Sequence, residues 1–179
     1  MLMRRIALVV AGLALVGLSP EGAAGVRGSV APKAVLHAGT ALDGRSQPGR
    51  VIHSTWEGED FDRSKPPVRW PKALEAAPDD TVAVEIPTQD PPFWIQVSAW
   101  KDLRPNGIPR GRRELSECGP PTTSGLANTC SLRPTVTSSG VAWRIEFDLE
   151  RTTGPYYIAV FAAWDDAEVA WLNHLTLRN

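Results

Sequence analysis

The chain has 179 residues, and its 19 Lys+Arg against 20 Asp+Glu leave a formal net charge of −1 at pH 7. With 22% charged and 42% hydrophobic residues it has the balance of a folded globular protein, which excludes a polybasic nucleic-acid binder and an acidic disordered tail. Seven Trp stand beside only two Cys and two Met, and Arg outnumbers Lys 15 to 4, a bias expected of a GC-rich bacterial genome.

The chain opens with Arg4 and Arg5, then an apolar run from Ile6 to Leu18, then the small residues Gly22-Ala23-Ala24. This order predicts a secretory signal peptide over residues 1–24. The run is too short for the ~20 apolar residues that a membrane span requires, and Ser19-Pro20 ends it. No Cys follows it, so lipoprotein acylation is not expected. The mature chain is expected to be secreted, extracellular or in the cell envelope, with no membrane span after cleavage. Residues 25–50, rich in Gly, Ala and Ser, read as a flexible N-terminal arm, and residues 51–179 as one domain.

Within that domain Arg50 to Trp56 is a weak strand candidate. Residues 57–80 read as a long irregular connection packed down by Trp56, Phe61 and Trp70, with one or two helical turns over Pro71 to Ala77. From Thr81 onward the period is two. Thr81 to Ile86 aligns Val82, Val84 and Ile86; Phe93 to Trp100 aligns Phe93, Ile95, Val97 and Ala99. Ser131 to Thr137 is a weaker candidate. Val141 to Leu149 alternates apolar odd positions with mostly charged even ones. Tyr156 to Trp164 is apolar on both sides, as a central strand is, and Val169 to Arg178 closes the chain after a four-residue hairpin turn, Asp165 to Glu168. No apolar stripe of helical period appears, and Pro- and Gly-rich breaks separate the runs. Together they predict an all-β antiparallel sandwich.

Cys118 and Cys130 are the only cysteines and pair by default in an exported protein, closing the turn-forming loop 119–129. The closure is worth about 3 kcal/mol in the chain-entropy model. The short spacing reads as a loop staple instead of a bond between two sheets. With no His nearby it does not read as a zinc site.

Gly154-Pro155-Tyr156-Tyr157-Ile158-Ala159-Val160 resembles the F strand of immunoglobulin-like sandwiches, where a Tyr near the start ties the preceding corner. Residues 51–178 are similar to small secreted immunoglobulin-like β-sandwich domains of bacterial envelopes, a group without an assigned activity. The resemblance implies fold, not role.

No cofactor or metal motif is present. His37, His53 and His174 have no partner at metal-ligand spacing, and no Gly-x-Ser-x-Gly elbow supports a triad. Asp165, Asp166 and Glu168 cluster in a turn, where Asp is common for backbone reasons alone, without EF-hand spacing. The candidate ligand-binding residues are Trp94 and Trp100, which share one strand face with Gln96 and Ser98 and stand about 20 Å apart. An indole stacks on the apolar face of a pyranose ring, so this pair is either a sugar-binding platform or is covered by the 57–80 connection. Arg110, Arg112 and Arg113, with Arg104, form a second candidate surface for an anionic wall polymer, with Glu114 and Glu117 as partial neutralisers. The expected function is a secreted non-catalytic binding or interaction module for a cell-wall polymer, glycan or envelope protein. The alternatives are a small secreted hydrolase using Asp/Glu, and a protease inhibitor presenting the Cys118–Cys130 loop.

Overall fold

Strands that alternate apolar and polar side chains can hide only one side each, so they must stack in two layers. The computed structural model describes residues 30–39, 44–56, 59–118, 130–138, 140–150 and 152–179; the leader expected over 1–24 and the loop 119–129 lie outside them. Among the described residues there are strands and no helix: β1 (Val35–Ala38), β2 (Arg45–Pro48), β3 (Arg50–Trp56), β4 (Glu59–Asp62), β5 (Leu74–Ala76), β6 (Val82–Ile86), β7 (Trp94–Trp100), β8 (Asp102–Leu103), β9 (Pro109–Arg110), β10 (Glu114–Cys118), β11 (Cys130–Thr137), β12 (Gly140–Phe147), β13 (Gly154–Trp164) and β14 (Ala167–Leu177). None of the described chain forms a helix long and apolar enough to cross a membrane.

One sheet has five strands in the order β11-β12-β6-β1-β2, the other seven in the order β10-β7-β13-β14-β3-β4 with β5 added parallel to β14. All other pairings are antiparallel, and β8-β9 forms a small separate ribbon. The inner faces share one core: Leu36, Val84, Ile86 and Ile145 from the first sheet meet Ile95, Ile158, Val160 and Trp171 from the second. Each such side chain contributes about 1.5–3 kcal/mol by leaving water. The Trp171 indole is wholly buried, and its N–H is satisfied by the Pro32 carbonyl at 2.9 Å. The result is the all-β sandwich that the period-two pattern predicts.

The structure departs from the sequence reading in several places, and the connection expected to be irregular over 57–80 begins with β4, paired to β3. The arm expected over 25–50 contributes β1 and β2, and β1 sits inside the five-stranded sheet with Leu36 in the core. The alternation of Ala34, Leu36 and Ala38 is a strand signal hidden by a Gly/Ala-rich composition. The helical turns expected over Pro71 to Ala77 are instead β5, whose Leu74 and Ala76 are buried on either side of exposed Glu75. Trp164 pairs with Ala167, so the last hairpin turns on Asp165-Asp166 alone and Glu168 belongs to β14. Phe93 precedes β7 and is 47% exposed. Finally, Cys118 ends β10 in one sheet and Cys130 begins β11 in the other, with Cα atoms 5.5 Å apart. The disulfide therefore joins the two sheets at their edge as well as closing the loop.

Candidate functional site

Because Ile95, Val97 and Ala99 of β7 are buried in the core, Trp94, Gln96, Ser98 and Trp100 point outward from the seven-stranded sheet. The register sets Ala163, Phe161, Ala159 and Tyr157 of β13 directly opposite them. On β14 the next row is Glu168, Ala170, Leu172 and His174. Trp94 packs edge-to-face on Phe161 with centroids 5.4 Å apart, and Tyr157 stacks on His174 at 4.6 Å. The 63–73 connection crosses part of this face. Its Trp70 meets Tyr157 edge-on at 5.3 Å, and the Pro71 carbonyl accepts from His174 Nδ1 at 3.3 Å. Trp94 and Trp100 each remain half-buried. The connection thus covers the Tyr157–His174 part of the face; Ser98 and Leu172 in its middle are buried as well, while the rings of Trp94, Phe161 and Trp100 stay partly exposed.

The indole N–H groups separate the tryptophans by role. Trp70, Trp143, Trp164 and Trp171 donate to the carbonyls of Gly107, Gln89, Asp90 and Pro32. The indoles of Trp94 and Trp100 make no hydrogen bond to the described protein, so their N–H donors are open to water or a ligand.

The basic loop lies at the Trp100 end of this face. β8 and β9 pair Asp102 with Arg110, and the turn between them is tied down by two bonds to the connection: Val68 N–H to the Asn106 carbonyl, and Trp70 Nε1 to the Gly107 carbonyl. Gly107 has φ +79°, and a Cβ there would stand 1.9 Å from the Val68 carbonyl oxygen, so only glycine permits this docking. Glu114 pairs with Ala99, which sets Arg113 one residue further on, at the level of Trp100. Arg104, Arg110 and Arg113 are exposed and make no ion pair, while Arg112 holds Glu150 at 2.7 Å. The expected neutralisers are engaged elsewhere: Glu114 accepts from the Glu150 backbone N–H and Glu117 from Gln96 Nε2. The two candidate surfaces therefore adjoin, with Trp70 touching both.

The outer face of the five-stranded sheet is of another kind. Arg144 on β12 donates to Glu85 on β6 and to Glu146 on its own strand, both at 2.9 Å, and His37 Nε2 on β1 stands 3.1 Å from the second Glu85 oxygen. Burial would lower the Arg144 pKa, but the hydrogen bonds from Glu146 and Glu85 carry it above the ordinary arginine value. Burial, reinforced by Arg144, holds His37 below the usual imidazole value against the pull of Glu85. Burial likewise lowers His174. His53 donates to Glu168 at 2.8 Å, which draws Glu168 away from the Asp165-Asp166 turn. Among the described residues no three His, Cys, Asp or Glu side chains converge so as to hold a metal ion.

Parity along β7 points to Trp94 and Trp100. Trp70 packs the connection down as its sequence reading expects, whereas Tyr157 and Phe161 go unnoticed as partners on this face, because Tyr156 to Trp164 is apolar on both sides. No protein-family model matches the chain, and neither a curated protein nor a solved structure matches it.

Proposed function

We propose that this chain is an exported, non-catalytic binding module whose contact surface is the aromatic outer face of the seven-stranded sheet, and whose ligand is a glycan of the cell wall or envelope. One observation carries the reading: Trp94 and Trp100, which share the outward face of β7, spend no indole N–H on the described protein, whereas Trp70, Trp143, Trp164 and Trp171 each donate theirs to a backbone carbonyl. A half-buried ring with a free donor can stack on a sugar and bond to its hydroxyls. The frame is read as immunoglobulin-like. Support comes from the order β11-β12-β6-β1 facing β10-β7-β13-β14, and from the Tyr156 hydroxyl, which meets Thr152 Oγ1 at 3.3 Å in the corner before β13.

One pocket among the described residues is lined by Pro78, Asp80, Val82, Phe147, Leu149 and Leu177 and lacks what a hydrolase needs there. Its one titratable group, Asp80, is engaged by Arg45 at 2.7 Å and by the Ala77 N–H, leaving no second carboxylate for acid–base work. The inhibitor reading rests on loop 119–129, which lies outside the described residues.

The test is retention on insoluble glycans and isolated cell walls. Wild type is expected to be retained, Trp94→Ala and Trp100→Ala to lose retention, and Arg144→Ala on the opposite face to behave as wild type. Equal retention of all four proteins, or of none, contradicts the proposal.

A further inference from the structure

Resting on the reading above, we infer that the ligand is an acidic polysaccharide in which the sugar rings themselves carry carboxylates, a polyuronate. Trp100 lies opposite Tyr157, and Tyr157 carries Trp70, whose indole N–H holds the β8–β9 hairpin by the Gly107 carbonyl. That hairpin and the residues after it present Arg104, Arg110 and Arg113 to solvent without a carboxylate of their own, although Asp102 stands opposite Arg110 in the ribbon. Unpaired guanidinium groups on a pinned hairpin form a fixed anion site, since their forked N–H donors match a carboxylate in two parallel bonds.

The choice among anions follows from the rings. A phosphate-linked polyol would satisfy the arginines but has no flat apolar face for Trp100. A neutral glycan would satisfy Trp100 and leave three positive charges unanswered. A uronate chain supplies a pyranose face and a carboxylate in each unit, which is the combination found at this end of the sheet.

The experiment titrates the protein with polygalacturonate, with the same polymer as its methyl ester, and with a poly(glycerol phosphate). Wild type is expected to bind the uronate about tenfold or more tighter than the ester, as charge-assisted hydrogen bonds imply, with the difference shrinking as salt is raised. The double variant Arg110→Ala/Arg113→Ala should abolish that preference while leaving ester binding intact, and Trp100→Ala should weaken both. Because these arginines are exposed, their loss leaves the fold in place, which unchanged thermal unfolding verifies. Equal binding of uronate and ester overturns this inference and leaves the glycan reading standing. Poly(glycerol phosphate) binding that matches the uronate and ignores Trp100→Ala overturns it in favour of charge alone. Binding to none of the three overturns the uronate inference, and the glycan reading then falls only if wild type is also not retained on cell walls.

Discussion

The two outward sheet faces do the same architectural job with opposite chemistry. On the five-stranded sheet, His37, Glu85, Arg144 and Glu146 answer one another across three strands, and Arg133, opposite Arg144 on the edge strand β11, stands exposed beside that network. On the seven-stranded sheet the rings of Trp94, Phe161, Tyr157, His174 and Trp70 pack in pairs, and donors and cations at its end are left over. A closed ionic network needs nothing from outside. A face with half-buried rings and two free indole donors, bordered by unpaired arginines, has unmet capacity, and that difference is what supports the proposed contact surface.

Several measurements break or sharpen this contrast. The largest effect belongs to the bond that both sheets share: Cys118→Ser with Cys130→Ser should lower stability by about 3 kcal/mol in urea unfolding. Loss of well under 1 kcal/mol would mean that the edge is held by β10 and β11 without it. Next, Trp70→Ala should cost about 2 kcal/mol, below the ~3–5 of a fully buried Trp, and should make the β8–β9 amides exchange faster. Hairpin exchange that stays at the wild-type rate would show that Trp70 does not anchor it.

On the other face, Arg144→Ala should cost about 1–2 kcal/mol, between the values for exposed and buried pairs, because Glu85 and Glu146 lose their common partner. A neutral result would reduce the network to a surface decoration. The smallest effect is that of pH. His37 and His174, one on each face, have pKa values held below the ordinary 6.5, chiefly by burial. The unfolded chain binds protons more readily there, so the stability these imidazoles provide is complete above about pH 6.5 and is lost as pH falls toward their folded values. The urea midpoint should therefore drop between pH 7.5 and 5.5, and drop less in His37→Gln/His174→Gln. An equal slope in the double variant would assign the pH dependence to other groups.

Much of the sandwich is legible in the sequence wherever one face is wet and the other dry. β6, β7 and β12 alternate over enough residues to fix their core side, and β13 shows its central place by being apolar on both. Short or edge elements escape the same logic. β5 has one full alternation around Glu75, and β1 lies in a stretch whose Ala residues look like linker. The tip of the β11–β12 hairpin extends past the core, so Val136 and Val141, paired across it, are 88% and 42% exposed despite their period. The site divides along similar lines. Trp94 and Trp100 follow from local parity, whereas Trp70 reaches Tyr157 and Gly107 through contacts far apart in sequence, which no local pattern encodes. The neutralisation of Arg112 by Glu150, not Glu114 or Glu117, is hidden for the same reason.

The most direct test reads all seven indole N–H signals by NMR during a glycan titration. Trp94 and Trp100 should shift first and furthest, Trp70 less, and the core indoles Trp164 and Trp171 not at all. Shifts confined to Trp143, or spread evenly over all the indoles, or absent at saturating glycan, would contradict the assignment of the aromatic face as the binding surface.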